Sequence, residues 1–416
     1  MMIVITQTSI LREGHPVSFS HSACGPSSPD ARATVNEGAE DTDISNLLGM
    51  LASVTDPRSP QGKQHALEFV LAVCAAAMLA GAKNYAEIAR HAADIPQPLL
   101  KKLGAEWSWF RIRYKHPSES TIRNVLTGID AAELDQITGA WLFAQARKDA
   151  KGEWVIALDG KVMRGAWTDE NDKVTLFSAM LHREAVTVAQ VRVPDGTNEI
   201  TQAGALLDAA EIPEGEPVLF TRDAAHTQRD TAEGIAAKPG WGYLMTVKGN
   251  QPSLRREVCE KILPLLREAP CHVTEEHSRG RIKRWSCWIT SAEGIDFPHA
   301  AQAACIRRDV FEITGDRISK EHALILTSRK AEEMTAADAN WHTRRHWRIE
   351  NKSHYIRDTA WREDANQSYA GNGPHALASL RNLAAGLFRL KGENAIKETT
   401  EWVCRDRTRA LQFMAT

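Results

Sequence analysis

Asp159 closes the apolar run EWVIALDG (153–160), Asp223 closes PVLFTRDA (217–224), and Glu350 sits inside RRHWRIENKSHYIRD (344–358). Carboxylate oxygens are hard ligands that suit Mg²⁺ or Mn²⁺ and not zinc. Two such ions about 4 Å apart activate a water, steady a leaving oxyanion and neutralise a pentacovalent phosphate, the three needs of phosphodiester cleavage. On this reading Asp159 and Asp223 supply ligands from adjacent strand ends, and Glu350 supplies a third from a helix packed against the sheet edge. Each residue also has a plainer reading. Asp159 could cap a turn before Gly160, Asp223 could cap the following helix, and Glu350 could be a helix salt-bridge partner.

The surroundings of Glu350 favour the chemical reading. Between 341 and 362, Arg344, Arg345, Arg348, Lys352, Arg357 and Arg362 stand against Glu350 and Asp358, a local +4 in a chain whose net charge is −2. Duplex DNA carries one charge per roughly 1.7 Å of axis, and Lys and Arg contacts to phosphate dominate its affinity. Cations in this segment would hold the backbone while the acid holds metal. At helical spacing Glu350, His354, Arg357 and Trp361 share one face. His226 and Gln228, just after Asp223, and Asn351 and His354, beside Glu350, are candidates to orient the ligands.

Further DNA contacts are expected from Lys248, at the end of the strand GYLMTVKGN, and from Arg123. RGRIKRW (279–285) has four cations and no acid, and strand alternation would put Arg279, Arg281 and Lys283 on one face. A charged, blunted edge strand is the other reading of that segment. Trp347 and Trp361 could stack on an unpaired base.

Positioning these groups requires a sheet. The order from 153 is strand, hairpin pair (174–181 and 185–193), helix (199–211), strand (217–224), helix, strand (242–250). Two strands joined through a helix favour parallel neighbours, whose C-terminal ends form the ligand edge of an open α/β sheet. This is the order of an RNase H-like core. The predicted fold is therefore α/β, an RNase H-like mixed sheet with flanking helices and a β-rich insertion (about 255–330) before the last catalytic helix. An N-terminal helical domain (45–150) precedes the 151–390 core, and a helical tail (391–416) follows it. Within the N-terminal part, Asn84 caps one predicted helix, and Ser118 or Ser120 caps another carrying the stripe Ile122, Val125, Leu126, Ile129. These helices outline either a helix-turn-helix or a plain helical cap.

Composition sets the remaining bounds. Residues 1–44 combine Ser, Pro and acidic residues without periodicity and read as a disordered extension of net charge −4. Seven scattered cysteines with no CxxC argue against a disulfide framework and for a reducing cytoplasm. The longest apolar run (69–82) falls short of the roughly 20 residues of a span, so no membrane association is expected.

ALDGKVMRGA (157–166), TRDAAHTQRD (221–230), YLMTVKGNQ (243–251) and HWRIENKSHYIRD (346–358), in this order, resemble the transposases of ISAs-type bacterial insertion sequences, the H-repeat-associated proteins. The likeness runs from about 45 to 390 and includes DPRSPQGKQH (56–65), PSESTIRNVL (117–126) and NEI (198–200). It implies a DDE recombinase whose triad maps onto Asp159, Asp223 and Glu350. This sequence departs from the family at Gly196, Lys283, Tyr355 and Arg357, none of them in the triad. The implied activity is Mg²⁺-dependent hydrolysis at element ends followed by 3′-hydroxyl strand transfer into target DNA, by two ions for which Mn²⁺ substitutes. The implied partners are double-stranded DNA and a second copy of the chain, and the implied location is the nucleoid. A metal-dependent nuclease without strand transfer and an inactive DNA-binding relic are the alternatives.

Overall fold

The structure is a computed structural model that describes residues 44–61, 63–148, 152–167, 173–223, 227–367 and 371–415. The extension expected over 1–44, all but Ile44, lies outside these residues, as does His226.

Helices come first in the chain: α1 (Ser45–Ala52), α2 (Leu67–Leu79), α3 (Tyr85–Ala93) and α4 (Gln97–Lys102). A short hairpin, β1 (Trp107–Ser108) and β2 (Arg113–Tyr114), separates them from α5 (Glu119–Gly128) and α6 (Ala131–Arg147). Local chemistry sets the starts. The Asn84 side chain accepts the Glu87 N–H, Ser118 accepts that of Thr121, and Asp130 accepts those of Ala132 and Glu133. The stripe Ile122, Val125, Leu126 and Ile129 is fully buried, and α2 is buried on every side except at Glu68.

The sheet strands and their helices follow as β3 (Trp154–Trp167), β4 (Lys173–Leu181), β5 (Thr187–Val193), α7 (Ala203–Ala209), β6 (Val218–Arg222), α8 (Arg229–Ala236) and β7 (Trp241–Val247). Next come α9 (Pro252–Ile262), β8 (His272–Ser278), β9 (Arg281–Ser291), β10 (Gln302–Glu312) and β11 (Arg317–Thr327). The chain ends with α10 (Ala336–His346), a π-helical turn (Glu350–His354), α11 (Tyr355–Trp361), α12 (Gly373–Leu390), α13 (Ile396–Cys404) and α14 (Ala410–Met414).

One nine-stranded sheet has the order β5-β4-β3-β6-β7-β11-β10-β9-β8. Only its centre is parallel, with β3 on β6 and β6 on β7. The inserted strands do not stand apart. Strand β11 pairs antiparallel with β7, Leu324 opposite Val247 and Thr327 opposite Leu244, so the insertion continues the sheet and covers what would otherwise be an open edge. Alternation along β6 serves two cores. Val218 and Phe220 face the large core shared with α2, α6 and α12, while Leu219 faces a smaller one with Trp285, Ile306, Ile325 and Ala339. Among the described residues no helix is long and apolar enough to cross a membrane.

The N-terminal helices join the large core through α6, which lies against β5 at Gly139. A β-carbon there would stand 2.2 Å from the Val188 carbonyl oxygen, which is held in the sheet. Gly139→Ala would gain about 1 kcal/mol of helix propensity but forces overpacking against backbone, which costs typically 1–3 kcal/mol. The expected outcome is a net loss of stability, read as a lower midpoint in urea at unchanged slope.

Candidate active site

Parallel register brings the two aspartates to one edge. Strands β3 and β6 pair from Trp154–Val218 to Leu158–Arg222, so Asp159 and Asp223 are the first residues beyond the shared ladder. The strand carrying Asp159 does not stop there, as its apolar run suggested. It continues along β4, with Asp159 opposite Ser178 and Gly160 opposite Phe177, and runs on to Trp167. Asp159 is therefore fixed by a strand on one side and open to the cleft on the other.

Glu350 arrives from the helical segment after α10. It lines a small cavity of about 40 Å³ together with Asp159, Asp223, His346, Trp347 and Ile349. Ligand atoms of Asp159, Glu350 and His354 lie within 4.8 Å of one another. His354 Nδ1 stands 3.1 Å from Glu350 Oε2 and 3.6 Å from Asp159 Oδ2. Burial pushes the Asp159 carboxyl up from its ordinary range, against the pull of His354. The hydrogen bond with His354 holds the Glu350 carboxyl below its ordinary range. Asp223 is engaged differently, by Lys248, whose Nζ lies 3.0 Å from Oδ1 and 3.3 Å from Oδ2.

Behind the cavity, the Thr221 hydroxyl bridges two imidazoles, His346 Nδ1 at 3.0 Å and His182 Nε2 at 2.8 Å. Arg348 reaches the same place and donates to the His182 carbonyl at 2.6 Å. On the far side of β3, the Glu199 carboxylate rests against the α-carbon of Gly160. A β-carbon at Gly160 would fall 1.7 Å from Glu199 Oε1, so a larger residue there would have to push the Glu199 carboxylate aside. Arg222 is buried beneath, stacked 5.3 Å from the Phe177 ring centroid. Thr221, His346, His182 and Glu199 escaped the sequence reading. The signals were there in part, since Glu199 lies in NEI and His346 opens HWRIEN.

The expected phosphate contacts divide. Arg345, Arg348 and Lys352 lie partly exposed on the segment that carries Glu350, and Arg348 feels the Glu184 carboxylate. Arg345 packs over the Trp341 ring at 3.7 Å, and Arg344 is drawn off to Glu276 at 2.8 Å. Arg357 does not reach the cleft, contrary to the helical-face expectation. It is 1% exposed and donates to Glu363 at 2.8 Å and to Gln190 at 3.1 Å. The physical reason is the π-helical turn at Glu350–His354. Its wider winding inserts a residue and rotates everything after His354 away from the face that Glu350 and His354 share. Trp361 is carried inward by the same rotation and donates to the Met78 carbonyl, so it cannot stack on a base, whereas Trp347 remains exposed at the cavity.

Arg279 is not on a strand with Arg281 and Lys283. It occupies the two-residue turn between β8 and β9 at φ +50°, followed by Gly280 at +72°. Arg281 and Lys283 lie on β9 opposite Ser278 and Glu276. Arg123 is tied to Glu119 one helical turn away and packs over Tyr85. Asn351 is exposed and donates to the Trp347 carbonyl, and Gln228 stands half-buried just before α8.

The chain is similar to known proteins over most of its length. Residues 150–387 match the family model described as the transposase DDE domain, and residues 48–142 match its associated N-terminal model. The chain belongs to the DDE transposase family. Two curated relatives illustrate the likeness. "Putative transposase YncI" of Escherichia coli O157:H7 is 28% identical over 83% of this chain and 88% of its own length. "H repeat-associated putative transposase YhhI" of E. coli K12 is 25% identical over 83% and 91%. A solved piggyBac transposase synaptic complex with hairpin DNA covers 90% of this chain and 79% of its own at TM-score 0.38 and 11% identity.

Proposed function

We propose that this DDE transposase serves a bacterial insertion sequence, hydrolysing phosphodiester bonds at element ends and joining the freed 3′-hydroxyl to target DNA. What supports the reading is the meeting of Asp159, Asp223 and Glu350 on one cavity although 64 and 127 residues separate them along the chain. The parallel β3-β6-β7 centre with a helix-borne glutamate is the arrangement expected of an RNase H-like core.

The donor set fits a divalent cation. Two carboxylates and an imidazole converge, one carboxyl is already withdrawn from water, and hard oxygen donors favour Mg²⁺, with Mn²⁺ as substitute. Asp159, Asp223 and Glu350 would hold two ions, which when bound supply an activated water and stabilise the leaving oxygen. The protein's own groups prepare that event. His354 orients Glu350 and Asp159. Lys248 offsets the charge of Asp223 and stands ready to donate to a phosphate oxygen. Arg345, Arg348 and Lys352 hold the DNA backbone beside the cavity. The N-terminal helices bind the element ends, and two chains act together because two ends must be brought into one complex.

A strand-transfer assay tests this. Purified full-length chain is given Mg²⁺, a duplex with the gene's flanking sequence and a labelled 3′-hydroxyl end, and a supercoiled plasmid. Label joined to plasmid is the expected product. Nicking without joining would replace transposition by plain nuclease activity, and the absence of any metal-dependent product would remove the catalytic reading.

A further inference from the structure

The β1–β2 hairpin breaks the rules of its own turn. Its four-residue tip reads Trp109-Phe110-Arg111-Ile112, where Gly, Asn, Asp, Ser or Pro would be ordinary. Trp109 is 87% exposed, Phe110 97% and Ile112 77%. Ile112 is held at φ +50°, a left-handed conformation that a β-branched residue adopts only under strain. Trp109 meets the Trp107 ring edge to face at 6.3 Å and the Arg111 N–H donates to Ser108 Oγ at 3.2 Å, contacts that leave most of the tip's apolar surface open to solvent.

The base of the hairpin, by contrast, is firmly built. The Trp107 and Tyr114 rings meet edge to face at 4.9 Å, and Lys115 N–H donates to the Glu106 carbonyl at 2.9 Å. The Tyr114 N–H donates to Gln97 Oε1 at 2.6 Å, fastening the ribbon to the start of α4. A rigid stem thus carries an apolar point into solvent. Arg111 and Arg113 flank that point, exposed and without an acidic partner among the described residues. Turn rules broken at so exposed a tip mark a working surface.

We infer that this tip is a DNA wedge: Trp109 and Phe110 enter or stack on an opened base step while Arg111 and Arg113 grip the phosphates on either side. The inference rests on the DNA-transposase reading, because it takes the DNA from that function. Charge and size select this occupant. Proteins that open duplexes insert apolar side chains between base steps and anchor them with neighbouring cations. A stable contact with a second copy of the chain would bury about 800 Å² per partner, more than a four-residue point offers.

The test uses the full-length chain and a mixed-sequence duplex carrying 2-aminopurine opposite thymine, intact or with one adjacent mismatch. Wild type is expected to raise 2-aminopurine fluorescence and to prefer the mismatched duplex. The double substitution Trp109→Ala/Phe110→Ala should abolish both effects and weaken binding about tenfold, the loss of a stacked base or two. The helical signal in far-ultraviolet circular dichroism should be unchanged, since Phe110 is exposed and Trp109 touches the Trp107 ring only edge to face at 6.3 Å. Arg111→Ala/Arg113→Ala should weaken both duplexes equally and lower the salt slope by about 2. Unchanged fluorescence and affinity in the aromatic variant would overturn the wedge. A fall in mass from dimer to monomer would then make the tip a contact between copies, and lost binding to anionic vesicles would make it a lipid contact. Wild type that binds duplex without a fluorescence rise sinks the wedge alone, whereas wild type that binds no duplex sinks the proposed function with it.

Discussion

Asp159→Asn, Asp223→Asn and Glu350→Gln should each lower metal-dependent strand cleavage by roughly a thousandfold or more, to the background of the assay. The amide keeps the shape of the carboxyl and one oxygen, so packing survives while the charge that would hold a divalent ion is gone. Binding of DNA should not fall. Each substitution removes a negative charge that faces a polyanion, so affinity at low salt should hold or rise. The three should also differ. In Asp223→Asn the Lys248 ammonium loses its partner at 3.0 Å and becomes free for phosphate, so this variant should bind DNA tightest. Asp159 is the most enclosed of the set, with its side chain 25% exposed against 56% for Glu350, so Asp159→Asn should show the greatest loss of Mn²⁺ binding by calorimetry. Nicking at the wild-type rate by any one variant would remove that residue from the catalytic set.

Much of this site could be read from local pattern. An apolar run ending in Asp, twice, with a helix between, is enough to place two carboxylates at one edge if the strands are parallel neighbours, and the register Leu158–Arg222 is the structural form of that argument. Caps at Asn84 and Ser118 were legible for the same reason, because a cap is decided within four residues. What could not be read depends on partners far away in sequence. Nothing local to HALILT says that β11 will pair with β7 some eighty residues earlier, so the insertion looked separate when it is an extension of the sheet. Counting charges near Glu350 likewise cannot tell a free cation from one already neutralised. Arg344 is paired with Glu276 and Arg357 with Glu363, so two of the counted cations are already neutralised. The π-helical turn was hidden for a further reason. A single added residue in the winding has no signature in hydrophobic periodicity, yet it decides which side chains after His354 face the cavity.

Removing Glu363 should be among the most damaging changes to stability. Its carboxylate is fully buried and shared by two buried guanidinium groups, Arg357 at 2.8 Å and Arg381 at 2.9 Å. Burial by itself raises the carboxyl's pKa, and the two arginines more than reverse it, bringing it down to about 2 from an ordinary 4.5. A folded value below the unfolded one means that the contribution to stability is complete above about pH 4.5. It is then lost as the pH falls toward 2. By linkage that contribution is on the order of 3 kcal/mol at neutral pH. Glu363→Gln leaves both cations buried without their counter-charge, a defect that costs about 3–5 kcal/mol, a large share of the 5–15 kcal/mol by which domains are usually stable. Urea denaturation at pH 7 should show that loss, and the variant should lack the part of the acid sensitivity between pH 4.5 and 2 that Glu363 brings. Arg357→Met probes the same cluster from the other side. Because Arg357 is spent on Glu363 and Gln190, this variant should lose stability while the salt dependence of DNA binding stays as in wild type. A slope reduced by about 1, with stability unchanged, would return Arg357 to the DNA interface.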